Sequence, residues 1–346
     1  MLDVLLVPMA VALALSFIAT RVALALAQRL AFLDRPGAEL HKQQPLAVPY
    51  GGGVAMAVAM AVALLVAPAT HASGELIDHG ALWPIYAGAG ALLLVGLVDD
   101  VRPLGPRTKL AAQALIAGAV VPLADLGIDS LKQWPWLSYG IAWAWLVLVS
   151  NAYNLLDHAD GLCGSIAAVS ALVLFSGAVL SGDLELGRLC LVLAAAIAGF
   201  LAWNWPPARI YMGDAGSMAI GFLIGAITLS VTFWPSGESG SPLAILSPVL
   251  ITALPLFDTA SVVVKRLRRN RPIMQGDRNH ISHRLGRLGL TPRRGLLTAI
   301  ALQVALAAGA LQLRTDDLLT GVVVIAQSLA IFVAVVFLET ARDRGA

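Results

Sequence analysis

Long apolar segments constrain this chain more than any other feature of its sequence. A helix needs about 20 consecutive apolar residues to cross the hydrocarbon core of a bilayer, which is about 30 Å thick. The sequence has eleven such runs, at 4–26, 52–69, 82–98, 109–126, 137–154, 162–180, 187–204, 213–234, 243–264, 295–313 and 318–338. Because lipid cannot bond an open backbone, each run must be helical. We therefore expect an all-α polytopic membrane bundle with about eleven transmembrane helices.

The composition supports a membrane protein and excludes several other classes. Of the 346 residues, 58% are hydrophobic and 13% are charged, and the mean hydropathy is +0.81. A soluble domain has about 25% charged residues. Disordered, collagen-like and disulfide-scaffold proteins are excluded too, and no nucleic-acid partner is expected. The sequence shows no internal repeat, so we interpret residues 1–346 as a single membrane domain.

The distribution of basic residues predicts how the bundle is oriented. Connections between successive runs alternate between the two sides of the membrane. Of the 23 Lys and Arg residues, 19 fall on the side that includes the C-terminal tail and three fall on the other. Basic residues favour the cytoplasmic side. We expect an outside N-terminus, a cytoplasmic C-terminus and a location in the plasma (inner) membrane.

An aspartate pair closes the third apolar run. Asp99 and Asp100 stand at a predicted helix C-terminus, where the helix dipole favours cations instead. Adjacent carboxylates also repel each other unless a cation or proton intervenes. Lys109, ten residues further along, can reach the same region from the fourth run. We favour a functional role for the pair over a solvated helix end.

A second polar cluster lies in the connection after the fifth run. Its sequence is Asn151-Ala-Tyr-Asn154-Leu-Leu-Asp157-His158-Ala-Asp160-Gly161. The three-residue spacing from Asn151 to Asp157 would place three polar side chains on one face of a continuing helix. Amides and carboxylates are hard oxygen ligands of the kind that Mg²⁺ prefers. A metal site is favoured here, and a polar turn is the alternative.

Asp214 and Asp258 are single acids at helix ends. Asp214 begins the eighth run, where a helix N-cap would stand, and this capping role stays open. A helix N-terminus also attracts phosphate, so Asp214 could instead hold a metal ion beside a bound phosphate. Asp258 lies in the apolar ninth run, where an acid is functional by default. We expect it to pair with a residue of the basic segment 265–294.

The basic segment 265–294 carries ten of the Lys and Arg residues. Attraction to anionic lipids explains most of its first part. Its second part contains Asp277, Arg278, His280 and His283, where arginine can bind phosphate oxygens through two hydrogen bonds. His41, in the first cytoplasmic connection, is a weaker candidate for the same site.

Acids and amides suited to Mg²⁺, beside Arg, Lys and His, are typical of a phosphoryl-transfer site. The sequence has neither a P-loop nor a Gly-x-Gly-x-x-Gly motif, so ATP hydrolysis is unsupported. A site at the bilayer surface suits one water-soluble and one lipid substrate. The alternative from another class is a secondary transporter, which would place ionisable residues near the midplane and show paired half-repeats.

In these motifs the sequence resembles the polyprenyl-phosphate N-acetylhexosamine-1-phosphate transferases of glycosyltransferase family 4. The resemblance covers nearly the whole chain, through the entry loop from Asp34 to Gly53, the pair Asp99-Asp100, the segments Asn151 to Gly161 and Asn204 to Asp214, and Asp277, His280 and His283. The family often has Gly where this chain has His158. The spacing of His280 and His283 is similar to the branch that uses UDP-N-acetylglucosamine. The alternative branch, the phospho-MurNAc-pentapeptide translocases, has three consecutive histidines.

The resemblance implies a reaction and its participants. It implies transfer of N-acetylhexosamine 1-phosphate, with N-acetylglucosamine favoured, from a UDP-sugar to a polyprenyl (undecaprenyl) phosphate with release of UMP. This is the first membrane step of cell-envelope glycan synthesis. Mg²⁺ would be the cofactor, with Mn²⁺ as a substitute. The partners would be UDP-N-acetylhexosamine, polyprenyl phosphate and membrane lipids, and a homodimer stays open.

The resemblance also implies roles for individual residues. The metal ligands would be Asp214 and Asn154. Catalytic or substrate-positioning carboxylates would be Asp99, Asp100, Asp157 and Asp160. Substrate would contact Lys109, Asn151, Asn204, Asp277, Arg278, His280, His283 and His41. The site would be formed by the cytoplasmic loops 27–51, 99–108, 155–161, 205–212 and 265–294.

Overall fold

The fold is known from a computed structural model of the chain. It describes residues 2–34, 47–66, 82–131, 133–231, 242–272, 280–314 and 317–343. The predicted site residues His41, Asp277 and Arg278 lie outside these ranges.

The described residues are almost entirely helical. The α-helices are α1 (Leu2–Arg29), α2 (Gly52–Val66), α3 (Trp83–Val101), α4 (Pro106–Leu123), α5 (Pro135–Leu156), α6 (Leu162–Leu180), α7 (Leu184–Asn204), α8 (Gly213–Ser230), α9 (Ser247–Ile251), α10 (Ala253–Arg268), α11 (Ile281–Arg287), α12 (Pro292–Gln312) and α13 (Leu318–Asp343). The short strands β1 (Leu33–Asp34) and β2 (Val48–Pro49) pair antiparallel beside α1 and α2.

Helices occur at each of the eleven predicted apolar runs. Seven of the described helices are long and apolar enough to cross a membrane, and an eighth span is present if one bent pair counts as a single span. Helix α2 is apolar but shorter. The expectation of an all-α polytopic membrane protein is confirmed.

The ninth predicted run differs from the prediction, because it is a broken helix. A 3₁₀-helix (Pro242–Leu246) and α9 lead to a break at Thr252, after which α10 continues at an angle of 74°. Pro255 lies in the first turn of α10, where proline is tolerated. Inside a continuous helix its ring would clash with the carbonyl of Ile251.

Side chains of α12 and α6 bond the backbone groups that this break leaves open. Gln303 of α12 accepts the Leu254 N–H at 3.3 Å and donates to the Ile251 carbonyl at 2.6 Å. Ser170 of α6 donates to the same carbonyl at 2.8 Å. Each unsatisfied backbone group in lipid would cost several kcal/mol. These two buried side chains therefore stabilise the bend.

Helix α8 lies at the centre of the bundle and α13 at its edge. In the apolar stretch of α8, 83% of the residues are buried, compared with 17% in α13. Large apolar side chains on the outer helices, such as Ile18, Leu115 and Phe337, are exposed. In a multi-pass membrane protein, exposed apolar side chains of this kind are suited to contact with lipid.

Glycines let two helices approach the backbone of α8. A Cβ at Gly96 of α3 would lie 2.3 Å from the backbone nitrogen of Ala215. A Cβ at Gly53 of α2 would lie equally close to the nitrogen of Gly216. Small residues allow this kind of approach between membrane helices. The contact brings the C-terminal end of α3 against the N-terminal end of α8, where three of the predicted site acids lie.

We predict that Gly96→Ala destabilises the bundle and that Gly90→Ala does not. A methyl group at position 96 has to push α3 away from α8, and such overpacking typically costs about 1–3 kcal/mol. Gly90 lies in the same helix with open space around it, so alanine there brings only its better helix propensity, up to about 1 kcal/mol. Thermal unfolding of the purified protein in detergent measures both. Equal unfolding midpoints for the two variants would contradict this packing.

Candidate active site

Five aspartates from three parts of the chain converge at one end of the bundle. Asp99 and Asp100 end α3, Asp157 and Asp160 lie in the turn between α5 and α6, and Asp214 lies in the first turn of α8. All five were predicted as site residues. The fold brings them close enough that their charges act on one another.

Lys109 lies between two of these acids. Its Nζ atom is 3.2 Å from Oδ2 of Asp99 and 2.6 Å from Oδ2 of Asp214. The expectation that Lys109 reaches the aspartate pair is confirmed. A single ammonium group that contacts carboxylates from α3 and α8 reduces the repulsion between those two helix ends.

Asp100 caps α8 although it belongs to α3. Its Oδ1 accepts the Asp214 N–H at 2.8 Å and its Oδ2 accepts the Ala215 N–H at 3.2 Å. The first N–H groups of a helix have no partner within it, and the helix dipole favours a negative charge there. The Asp214 carboxylate itself bonds Lys109. The interpretation of Asp214 as an N-cap is therefore wrong.

Asp157 has the least compensated carboxylate of the cluster. Burial raises its pKa well above the usual value, and the charges of Asp214, Asp100 and Asp160 raise it further. Among the described residues, no N–H or O–H group donates a hydrogen bond to it. Its negative charge therefore requires a proton or a bound cation.

The turn after α5 is bonded to the segment after α7. Asp160 accepts the Ala208 N–H at 2.9 Å. The buried Asn204 accepts the Gly161 N–H through Oδ1 at 2.9 Å and donates through Nδ2 to the Ile210 carbonyl at 2.8 Å. The oxygen and the nitrogen of the Asn204 amide thus both bond backbone groups. Its predicted contact with a nucleotide stays a prediction.

Asn154 contacts the helix that carries Asp214. Its Nδ2 donates to the Ser217 hydroxyl at 3.0 Å, and this hydroxyl donates to the Gly213 carbonyl at 3.1 Å. The bond to Ser217 engages the amide nitrogen and leaves the amide oxygen of Asn154 for a ligand. Asn151, one turn earlier in α5, lines the same cavity as Asn154.

These residues fit a divalent cation of the Mg²⁺ type. The available atoms are carboxylate and amide oxygens, which are the ligands that Mg²⁺ prefers. Asp157 has no hydrogen-bond donor in the described part of the chain, and Lys109 is shared between two acids. Asn154, one of the two predicted ligands, bonds Ser217, which lies one turn after the other predicted ligand, Asp214, in α8.

Asp258 accepts hydrogen bonds from three residues in the second part of the basic segment. It is 1% exposed and accepts the Ile281 N–H at 2.6 Å, a hydrogen bond from His280 Nδ1 at 2.8 Å and one from Arg284 at 3.0 Å. The Arg284 guanidinium also lies over the Phe257 ring. The expectation that Asp258 pairs with the basic segment is confirmed. With Nδ1 engaged, His280 has Nε2 left for a ligand.

His158 is a neutral histidine in the turn between α5 and α6. Its Nδ1 lies 3.0 Å from the Leu155 carbonyl and must donate, so its Nε2 accepts from the Ser282 hydroxyl at 2.7 Å. Burial, followed by the neighbouring charge of His280, lowers the pKa of His158 to about 3. The ring centroids of His158 and His280 are 4.4 Å apart.

The ligand atoms of His158, Asp258 and His280 lie within 4.8 Å of one another, close enough to hold a metal ion. The two imidazole planes differ by only 31°. Because the nitrogen lone pairs lie in the ring planes, two rings that face each other at this angle do not direct them to one point. The hydrogen bonds to Ser282 and Asp258 also engage Nε2 of His158 and Nδ1 of His280. We therefore describe this group as a hydrogen-bonded network.

Both groups of residues line a cavity of about 1190 Å³. Asn154, Asp157 and Asp214 form its acidic wall, and His280 and His283 form its histidine wall. Ligand pockets are usually about 300–1,000 Å³. This cavity is large enough for a sizeable polar ligand between an acidic wall and a basic wall.

Sequence reasoning missed Tyr50, Tyr211 and Arg266, which also line the cavity. Arg266 is only 5% exposed, whereas the sequence predicts that it and its basic neighbours attract anionic lipids. Arg266 follows Asp258 by eight residues, which places both on one face of α10. This spacing is the sequence feature that could have identified Arg266 as a site residue. Burial raises the pKa of the Tyr50 hydroxyl, and the negative charge of Asp34 raises it further, so Tyr50 lines the cavity as a neutral phenol.

Comparison with known proteins finds similarity to glycosyl transferases. The sequence model of glycosyl transferase family 4 matches residues 82–232. A Streptomyces coelicolor protein named as a glycosyltransferase is 38% identical over 284 residues, which are 80% of this chain and 63% of that relative. The decaprenyl-phosphate N-acetylglucosaminephosphotransferase of Mycolicibacterium smegmatis is 31% identical over 72% of this chain and 68% of its own length. The undecaprenyl-phosphate α-N-acetylglucosaminyl 1-phosphate transferase of Yersinia pestis is 28% identical over 84% and 78%.

We predict that Gly213→Ala disrupts the contact between α3 and α8. Gly213 has φ of +74°, and a Cβ there would lie 2.3 Å from Oδ2 of Asp100. The added methyl group must displace the carboxylate that caps α8, in addition to about 1–2 kcal/mol of backbone strain. Gly182→Ala is the matched control, because Gly182 has φ of +77° and nothing within 4 Å.

Thermal unfolding in detergent should therefore show a larger loss of stability for Gly213→Ala than for Gly182→Ala. The difference in stability loss between the two variants measures the clash with Asp100, since both variants carry the same backbone strain. A similar loss in the two variants would mean that Asp100 does not hold the start of α8.

Proposed function

Because this chain belongs to glycosyl transferase family 4, we propose that it transfers N-acetylglucosamine 1-phosphate from UDP-N-acetylglucosamine to a polyprenyl phosphate. The products are UMP and a polyprenyl diphosphate-linked sugar. The observation that carries the proposal is the cavity lined by Asp157, Asp160 and Asp214 of the aspartate cluster and by His280 and His283. The names of the relatives from Mycolicibacterium smegmatis and Yersinia pestis support the sugar and the lipid.

Mg²⁺ is the proposed cofactor, with Mn²⁺ as a substitute. Asp214 and Asn154 would hold it, and the uncompensated carboxylate of Asp157 supports a cation nearby. When bound, the ion neutralises negative charge on phosphate oxygens, which favours attack on phosphorus. The protein's own side chains bind and position the two substrates.

The proposed chemistry is a direct displacement. A phosphate monoester has a second pKa of about 6, so the lipid phosphate is mostly a dianion near pH 7 and needs little help from a base. One of its oxygens attacks the phosphorus that bears the sugar, and the bond from that phosphorus to the UMP oxygen breaks. Phosphoryl transfer gains mainly from positioning and charge neutralisation. Asp99 and Asp100 would position the acceptor without forming a covalent intermediate.

The opposite wall is proposed to hold the donor. Asp258 accepts from Nδ1 of His280, so Nε2 of His280 is the atom available to a phosphate or sugar oxygen. The buried Arg266 lines the same cavity and adds positive charge. His283 lies one turn further along α11, where it can reach the same ligand.

The proposed topology has eleven spans, with an outside N-terminus and the site facing the cytoplasm of the plasma membrane. Support comes from the helices at all eleven predicted runs and from the 19 basic residues on one side. UDP-sugars are made in the cytoplasm, which suits a donor site on that side. Polyprenyl phosphate would enter from the bilayer.

The proposal predicts a defined reaction. Purified protein is incubated with undecaprenyl phosphate, Mg²⁺ and one donor at a time: UDP-N-acetylglucosamine, UDP-N-acetylgalactosamine, UDP-glucose or UDP-MurNAc-pentapeptide. We expect UMP and a lipid diphospho-sugar with UDP-N-acetylglucosamine, measured by chromatography and mass spectrometry. Absence of UMP with every donor would refute the proposal, and preference for the pentapeptide donor would identify a translocase.

Asp214→Asn should lower turnover by about 10²-fold or more, the usual effect of removing one charge-stabilising group. The variant loses an anionic metal ligand but keeps the side-chain volume. Asp317→Asn is the control, because Asp317 caps α13 through the N–H groups of Leu319 and Thr320 and asparagine caps equally well. Turnover of Asp214→Asn close to that of the control would exclude Asp214 as a metal ligand.

A further inference from the structure

Helix α11 carries His283 and follows His280, and residues of two other elements bond this segment. From α10, Asp258 bonds Ile281, His280 and Arg284. From the turn between α5 and α6, His158 accepts a hydrogen bond from Ser282. The position of α11 therefore depends on contacts with elements that are distant in sequence.

His158 makes two kinds of contact with this segment. Its Nε2 accepts the hydroxyl hydrogen of Ser282 at 2.7 Å, and its Nδ1–H bonds the Leu155 carbonyl. Its ring also stacks against His283, with centroids 5.8 Å apart and planes 29° apart, and lies against His280. A glycine at position 158 would make none of these side-chain contacts.

The geometry points to His158 as a positioning residue that holds α11 against the turn between α5 and α6, so that His280 and His283 face the donor. This role rests on the proposed function for the identity of the donor. The same turn carries Asp157 and Asp160. His158 therefore sets the spacing between the acidic wall and the histidine wall across the cavity.

The Ser282 hydroxyl gives a selective way to remove the contact. Ser282→Ala deletes one hydroxyl and leaves Nε2 of the half-buried His158 without its donor. Ser282→Thr keeps a hydroxyl and serves as the conservative variant. His158→Ala removes both the hydrogen bond and the stacking.

The first arm of the test needs no substrate. Spin labels are placed through Gly140→Cys in α5 and Gly286→Cys in α11, where a side chain meets nothing within 4 Å. The native Cys163 and Cys190 are buried. Electron double resonance should show a narrow distance distribution in the otherwise unchanged protein and in Ser282→Thr. It should be broader in Ser282→Ala and His158→Ala.

The second arm measures steady-state kinetics with the UDP-sugar as the varied substrate. Loss of one hydrogen bond to a neutral partner should raise KM about 3- to 10-fold, with little change in kcat, in Ser282→Ala. Ser282→Thr should restore KM. The double variant of His158→Ala and Ser282→Ala should be no worse than His158→Ala alone, because the two residues act through one contact.

Unchanged distance distributions in both alanine variants would overturn the inference, whatever the protein catalyses. Broadened distributions with an unchanged KM would overturn the positioning role. If no donor gives UMP while the distributions broaden as expected, the proposed function fails and the hold of His158 on α11 stands. Additive effects on KM in the double variant would also count against a shared contact.

Discussion

The contact between Asp100 and the first turn of α8 is the interaction on which the site depends. Five carboxylates at one end of a bundle repel one another, and this arrangement costs free energy unless each charge meets an opposite one. Asp100 meets two backbone N–H groups and the positive end of the α8 dipole. Lys109 meets Asp99 and Asp214. The remaining excess of negative charge, centred on Asp157, is what makes the cluster suited to a cation.

The same principle orders the other wall. Arg284 is fully buried, and its charge is balanced by Asp258, which also bonds His280 and the backbone of α11. Breaking such a buried pair is costly, because it leaves one charge uncompensated. Asp258 can occupy this place because α10 turns away from α9 at the bend. The broken ninth helix therefore contributes directly to the geometry of the site.

Many residues of the site could be predicted from the sequence, but the contacts that each of them makes could not. The acids and histidines stand out because ionisable residues are rare in apolar helices. Asp99 and Asp100 are adjacent in sequence and look equivalent, yet one bonds Lys109 and the other caps a different helix. Asp214 resembles an N-cap by position, but its capping role is taken by Asp100. Hydrogen bonds between elements distant in sequence decide these differences, and local pattern carries no information about them.

The sequence by itself determined the fold class, the positions of the helices and the family, because burial in lipid imposes long apolar helices and the chemistry imposes polar motifs at their ends. Only the tertiary structure decided the bend after Thr252, the burial of Arg266 and the contact of His158 with Ser282. Each of these arises where one helix end meets another. Backbone groups and charges left open by one segment must be satisfied by whichever segment packs against it, and only the folded bundle determines which segment that is.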